Sequence, residues 1–135
     1  MKFILALAIQ LAGGLHLLVA AANFVLPGML GYRENLAKVS PVIRQIFLVH
    51  AAYIVLVLIG FGVICLRFPA DLCGASPLGR FFCEFLAVFW ILRVVIQFGF
   101  YDRAIKREYP IGNLLFSAIF LYFAAVFGAA AFLNL

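Results

Sequence analysis

Charged residues are scarce in this chain of 135 residues, and acidic residues are scarcer still. Only 11% of the positions are charged and only five are Asp or Glu, whereas 68% are hydrophobic and the mean hydropathy is +1.22. An average soluble domain has about 25% charged and about 45–50% apolar residues. The shortage of charge excludes a soluble enzyme, a disordered chain and a coiled coil, and it favours a small polytopic membrane protein.

Cysteine is also rare, with three copies, and no two of them form a Cys-x-x-Cys pair. This excludes a secreted disulfide scaffold, a thiol redox motif and a cysteine zinc site of the usual spacing. Cys65, Cys73 and Cys83 all lie at or near the second loop, where they are either small apolar packing residues or the source of one disulfide bond. The net charge is +5, but the basic residues do not form the array with aromatic residues that nucleic-acid-binding modules use. We therefore expect no nucleic-acid partner.

Four apolar runs are each long enough to cross a bilayer as a helix, which takes about 20 residues. They cover residues 3–26, 42–66, 80–101 and 111–133. Pro27 predicts the end of the first run, and Ser40-Pro41 predicts an N-cap followed by a first-turn proline. Because the links are short and strand-like alternation is absent, the sequence predicts an all-α fold. It is a single domain over residues 1–135, an up-down four-helix transmembrane bundle.

The distribution of basic residues predicts the orientation of the bundle. The face with loops one and three has six basic residues, Arg33, Lys38, Arg44, Arg103, Lys106 and Arg107. The opposite face has three, Lys2, Arg67 and Arg80. By the positive-inside rule the first face is cytoplasmic, both termini are outside, and the expected location is a cell's inner (plasma) membrane.

The first run resembles a secretory signal, because a lysine precedes it and three alanines lie near its end. We nevertheless expect that it is not cleaved off, because it is long and contains Gln10.

Several polar side chains fall inside the apolar runs, where they are costly and by default mark a functional site. At a rise of about 1.5 Å per residue, His16, His50 and Arg93 lie at a similar depth on three different spans. Helical spacing places a polar stripe on each span, which predicts an intramembrane pocket open towards the cytoplasmic face. The residues expected to line it are His16, Asn23, His50, Tyr53, Arg93, Gln97, Tyr101 and Ser117.

Three interpretations of these polar residues stay open at this point. They could form a structural hydrogen-bond network, a pocket for a lipophilic or anionic small molecule, or a haem or quinone site. Arg93 favours the pocket, because a guanidinium keeps its charge and no carboxylate from another span is expected at its level. His16 and His50 favour a b-type haem, because their depths suit ligation by two imidazoles.

The end of the third run resembles a known family of membrane proteins. Residues 93–101, Arg-Val-Val-Ile-Gln-Phe-Gly-Phe-Tyr, followed by a basic loop, are similar to the corresponding segment of the membrane-associated proteins in eicosanoid and glutathione metabolism. Members of that family have four helices, typically form trimers, bind glutathione on the cytosolic side and activate its thiol with an arginine. The resemblance implies that role for Arg93, with Tyr101 as the aromatic residue after the glycine. The second run departs from the family, because the stretch after Arg44 lacks the expected asparagine and glutamate.

The residues therefore support one leading function and two alternatives. The leading function is a small membrane protein in the lipid bilayer that binds a lipophilic or anionic ligand or serves as an accessory subunit of a larger membrane complex. The alternatives are a glutathione- or lipid-modifying membrane enzyme and a b-type haem or quinone-binding protein. Ala124 and Gly128 form a small-residue pair that permits close helix contact, which makes a homo-oligomer a further hypothesis.

Overall fold

The computed structural model describes residues 2–99 and 107–132, and four of the helices in this part are long and apolar enough to cross a membrane. No strand occurs among these residues. The helices are α1 (Lys2–Met29), α2 (Tyr32–Leu36), α3 (Pro41–Arg67), α4 (Pro77–Gly99) and α5 (Pro110–Phe132). A short π-helical turn at Asp71–Ala75, kinked at Gly74 with its φ of 92°, lies between α3 and α4. The prediction of an all-α integral membrane protein with four spans is confirmed.

Local sequence signals predicted the start of α3 correctly but not the end of α1. Ser40 caps α3 through a hydrogen bond from Ile43 N to Ser40 Oγ of 3.4 Å, and Pro41 is the first helical residue, as predicted. The prediction that Pro27 ends the first span is wrong, because α1 continues to Met29. Proline removes one hydrogen bond of the helix, but its φ of about −65° is itself helical, so it does not force the next residues out of the helix. The Leu30 N to Leu26 O bond of 2.8 Å extends this turn.

The four long helices pack mainly as two antiparallel pairs, α1 with α3 and α4 with α5. The two pairs meet where α1 packs on α5, and Tyr122 Oη donates a 2.8 Å hydrogen bond across this contact to Ala8 O. Helices α3 and α4 touch through aromatic side chains, since the Phe61 ring lies 5.4–6.3 Å from the rings of Phe82, Phe85 and Phe89. Of the four spans, α3 has the smallest buried share, so most of its surface is available to lipid or to another protein.

Two close backbone approaches depend on glycine. A Cβ on Gly13 would lie 3.0 Å from Gly62 O, and a Cβ on Gly62 would lie 3.0 Å from Gly13 O, so the two residues set the distance between α1 and α3. A Cβ on Gly79 would overlap the carbonyl of Asp71, so this glycine lets the π-helical turn pack on the start of α4. Gly128 shows the contrary case, because a Cβ there would meet no atom of the described residues within 4 Å.

The three cysteines lie at the end of the bundle that includes the π-helical turn, and all are buried free thiols. Cys83 Sγ donates to Leu72 O at 3.1 Å, and Cys73 Sγ lies 3.8 Å from Lys2 O. Burial raises the pKa of the Cys73 thiol, an effect that the nearby Lys2 opposes, so this thiol stays protonated at neutral pH. The cysteines therefore contribute packing here, which agrees with the first of their two sequence-based interpretations.

Candidate functional site

His16 lies in the centre of the bundle and is completely buried. Its ring stacks on Phe123 with centroids 4.1 Å apart and an interplanar angle of 22°. The rings of Phe61, Trp90 and Phe127 approach it edge-on at 5.2–5.9 Å. These four aromatic residues, which we call the His16 cage, come from α3, α4 and α5. One imidazole on α1 therefore contacts all three other spans.

Both nitrogens of His16 are occupied by hydrogen bonds within the protein. Trp90 Nε1 donates to His16 Nε2 at 3.1 Å, and His16 Nδ1 lies 2.7 Å from Ala12 O. Because an indole N–H can only donate and a carbonyl can only accept, the pattern assigns a neutral ring with its hydrogen on Nδ1. His16 therefore binds protein groups, and axial ligation of haem by this residue would require the Trp90 bond to break. The residues present do not fit a bis-imidazole haem site.

A second polar cluster joins α4 to α5. Arg93 Nη1 donates to Gln97 Oε1 at 3.3 Å, and Gln97 Nε2 donates to Asn113 Oδ1 at 2.8 Å. The Arg93 guanidinium also lies over the ring of Phe120, 4.7 Å from its centroid, as in a cation–π contact. Protein groups inside the bundle thus bind Arg93, including an aromatic face that sequence reasoning did not assign to it.

Ser117 lies one helical turn from Asn113 on α5, at the buried side of this cluster. Its side chain is 6% exposed, and Ser117 Oγ has no hydrogen-bond partner among residues 2–99 and 107–132. Gln97, Arg93 and Ser117 were all predicted as site residues, and the structure brings them to the same α4–α5 contact. Tyr101, predicted to belong with them, lies outside the described residues.

The structure places His50 and Tyr53 on the outer surface of α3, away from the other predicted residues. Both side chains are exposed, Tyr53 to 63%. His50 Nδ1 lies 2.7 Å from Ile46 O in the same helix. The spacing of three residues does put them on one side of α3, but the residues of α3 that are buried in the bundle are Leu58, Gly62 and Cys65.

A groove at the end of the bundle that includes loop one contains the remaining predicted residue, Asn23. It has a volume of about 470 Å³ and lies between the end of α1, the short helix α2 and the start of α3. Tyr32 of α2 packs against Phe47 of α3 with ring centroids 5.5 Å apart, which holds α2 beside the groove. The lining residues, which define the rim groove, are Asn23, Phe24, Pro27, Tyr32, Arg33, Leu36, Arg44, Leu48, Ala51, Ala52 and Val55.

The rim groove combines apolar walls with two cations. Among the described residues, Arg33 and Arg44 are the only charged ones that line it, and none of these lining residues carries a carboxylate. Neither guanidinium has an ion pair or a side-chain hydrogen bond in the described part of the chain, where the one salt bridge joins Arg80 to Glu84 at 3.9 Å. Asn23 Nδ2 donates to Val19 O at 2.8 Å, which leaves its Oδ1 and its second N–H hydrogen for another group. Such a site can bind an anion whose remainder is apolar.

Sequence reasoning predicted Asn23 but missed Tyr32, Arg33 and Arg44. The two arginines were assigned only to the positive charge of loop one, since nothing in the sequence places α2 beside the start of α3. The signal that could have indicated them is the short Tyr-Arg-Glu-Asn-Leu helix at 32–36, directly after Gly31 with its left-handed φ of 66°. Within the described residues, no group of three or more His, Cys, Asp or Glu side chains could hold a metal ion.

No protein-family model, curated protein or solved structure matches this chain. What can be concluded about its class therefore comes from the fold and the sites above. These define an integral membrane protein with four helical spans, an aromatic and hydrogen-bonded centre around His16, and a cationic groove at the end of the bundle that includes loop one.

Proposed function

We propose that this protein binds a lipophilic anion in the rim groove. The ligand class is an amphiphile with a phosphate or carboxylate head and an apolar tail. One observation carries the proposal: two arginines without an anionic partner in the described residues line a mostly apolar groove of about 470 Å³. That volume is within the range of about 300–1,000 Å³ typical of small-molecule sites.

Arg33 and Arg44 are suited to the head of such a ligand. A guanidinium presents a planar fork of N–H donors that matches a carboxylate or a phosphate in a bidentate manner. Arg44 is half-buried in the first turn of α3, whereas Arg33 is exposed on α2. An anion that enters from the interface can therefore meet Arg33 first and then bind Arg44 at the more buried position, with Asn23 beside it.

The apolar wall of the groove is suited to the tail. Leu48, Ala51 and Val55 follow one another along the side of α3 that faces α1, so the wall leads from the arginines into the apolar span. The small side chains of Ala51 and Ala52 leave room beside the backbone. A single hydrocarbon chain along this wall would replace lipid contacts with protein contacts while its head stays at the interface.

The proposal includes the orientation predicted from the basic residues, with loops one and three on the cytoplasmic side of a plasma membrane. Six Lys or Arg residues belong to that face and three to the other. This orientation would place the rim groove in the cytoplasmic leaflet, where anionic lipids attract basic groups. Arg33 and Arg44 would then face the anionic lipids of that leaflet.

Replacing Arg33 or Arg44 by glutamine is expected to weaken binding of an anionic amphiphile by about tenfold each. A hydrogen bond to a charged group contributes about 1.5–3 kcal/mol, and about 1.4 kcal/mol corresponds to a factor of ten. The measurement is native mass spectrometry of the protein in mild detergent, titrated separately with phosphatidylglycerol, oleate, phosphatidylcholine and glutathione. We expect retention of phosphatidylglycerol or oleate, and the stronger of the two identifies the head group.

Lys38→Gln is the matched control for this experiment. Lys38 belongs to the same loop and has the same charge but does not line the groove, so its loss changes only the general attraction of the membrane face. Equal losses in Arg44→Gln and Lys38→Gln would refute a specific site. Binding of glutathione without either lipid would instead support the enzyme that the resemblance implies.

A further inference from the structure

The surface of α3 that points away from α1 has an unusual composition for a surface in contact with lipid. It includes Ile46, His50, Tyr53, Val57 and Gly60, spaced by 4, 3, 4 and 3 residues, which we call the outer face of α3. Ile46, Tyr53 and Val57 are 52%, 63% and 40% exposed, and His50 is exposed as well. Such spacing, with a mean period of 3.5, is the one that joins two helices along a continuous seam.

The outer face is turned away from the side of α3 that packs on α1, most clearly at Tyr53 and Gly60. Leu58 and Gly62 are buried against α1, and Gly60 lies two residues from each of them, a rotation of about 200° around the helix. A Cβ on Gly60 would meet no atom within 4 Å. Within the described part of the chain, the four other residues of this surface are exposed and Gly60 is half-buried, and the glycine leaves space for the backbone of another helix.

Two polar groups near the middle of α3 make lipid an unfavourable cover for this face. His50 Nδ1 is 2.7 Å from Ile46 O, so it is the donor nitrogen and Nε2 is left as an acceptor. Neither His50 Nε2 nor Tyr53 Oη has a hydrogen-bond partner among the described residues. Hydrocarbon supplies no hydrogen-bond partner, so polar side chains at this depth almost always face protein or a water-filled cavity.

We infer that the outer face of α3 binds the same face of a second copy of this chain, in a two-fold symmetric pair of parallel helices. His50 supplies an acceptor and Tyr53 supplies a donor on one surface, so the surface is complementary to itself. Side chains on a helix lean towards its N-terminus, which brings the Tyr53 hydroxyl back towards the level of His50. Tyr53 Oη of each copy donates to His50 Nε2 of the other, and the small Gly60 lets the two helices approach.

A second copy is favoured over an unrelated protein by this self-complementarity. A two-fold axis along the membrane normal makes both hydrogen bonds at once, and it requires no surface other than the one described. The inference is independent of the proposed ligand, because the rim groove is lined by residues on the opposite side of α3, such as Ala51 and Val55. Loss of dimerisation should leave ligand binding in the rim groove intact, and loss of ligand binding should leave dimerisation intact.

Cysteine cross-linking in native membranes tests the arrangement directly. Val57→Cys is expected to form a disulfide-linked dimer when a mild oxidant such as copper phenanthroline removes the two thiol hydrogens and their electrons. Ile59→Cys is the matched control, since Ile59 is 39% exposed and Val57 is 40% exposed on the same helix, but Ile59 faces away from the seam. The unsubstituted chain, whose three cysteines are buried, should stay monomeric on the gel.

The hydrogen bonds are tested by Tyr53→Phe and His50→Leu, which keep bulk and remove the donor or the acceptor. Each is expected to weaken dimerisation in detergent by about tenfold, measured by dilution in native mass spectrometry. The double variant should lose no more than either single variant, because both remove the same two bonds. Equal cross-linking at positions 57 and 59, an additive double variant, or a cross-linked product containing a different protein would each overturn the inference.

Discussion

Replacing His16 by alanine is expected to lower the free energy of unfolding by roughly 3 kcal/mol, the order seen when a large buried side chain is removed from a packed core. The ring is fully buried and contacts four aromatic residues, and its loss leaves a void among all four spans. The Trp90 indole N–H would also lose its acceptor. The measurement is unfolding by increasing fractions of sodium dodecyl sulfate in mixed micelles, followed by the fluorescence of Trp90, the only tryptophan.

Leu18→Ala is the control for this variant, because Leu18 lies on the same helix but is 56% exposed. It should unfold at nearly the same detergent fraction as the unsubstituted protein. Trp90→Phe removes the indole N–H but keeps an aromatic ring in the His16 cage, and unfolding followed by circular dichroism should show a loss of about 0.5–2 kcal/mol, smaller than that of His16→Ala. If His16→Ala and Leu18→Ala unfolded at the same detergent fraction, the central role of His16 in packing would be disproved.

A valine in place of Gly13 is expected to force α1 and α3 apart. Even the Cβ of the new side chain would lie 2.9 Å from Leu66 Cγ and 3.0 Å from Cys65 Cβ, closer than normal packing allows. Overpacking of this kind costs about 1–3 kcal/mol. It should also expose the thiol of Cys65, which is inaccessible in the native bundle, to maleimide. The modified cysteine can be identified by mass spectrometry of peptides after a fixed labelling time.

Gly14→Val provides a control at the adjacent position. It introduces the same β-branched residue at the same depth of the same helix, yet a Cβ on Gly14 would meet no atom within 4 Å. The helix-propensity cost is therefore shared by the two variants, and only the contact with α3 differs. Comparable Cys65 labelling in both would show that Gly13 and Gly62 do not set the distance between the helices.

The length and apolar character of the four runs were enough to predict the fold, because a bilayer permits few structures other than helices of that length. The signal at Ser40-Pro41 was equally local, and the start of α3 was predicted correctly. The end of α1 was not predicted correctly from Pro27, since the effect of this proline depends on whether the residues after it remain helical. That outcome is decided by how α1 and α2 pack, which the proline itself does not specify.

The candidate site was less predictable because periodicity gives the relative positions of side chains but not the direction in which a face turns. His50 and Tyr53 do share a face, but the close approach of Gly13 and Gly62 turns another face of α3 towards α1. For Arg93, spacing predicted the neighbouring Gln97, whereas the contact with Phe120 depends on how α4 and α5 align. The rim groove depends on α2 lying beside α3, a tertiary contact with no periodic signal.

The packing of the helices as α1 with α3 and α4 with α5 has a consequence for biosynthesis. Chains are made from the N-terminus, so the first helical hairpin can enter the bilayer and associate before the second exists. At that stage His16 has only Phe61 of its four aromatic neighbours, because Trp90, Phe123 and Phe127 belong to the second hairpin. The growing protein therefore holds an incompletely packed imidazole in the membrane until α4 and α5 have been made. Completion of the His16 cage then adds contacts from Trp90, Phe123 and Phe127 that hold the two hairpins together.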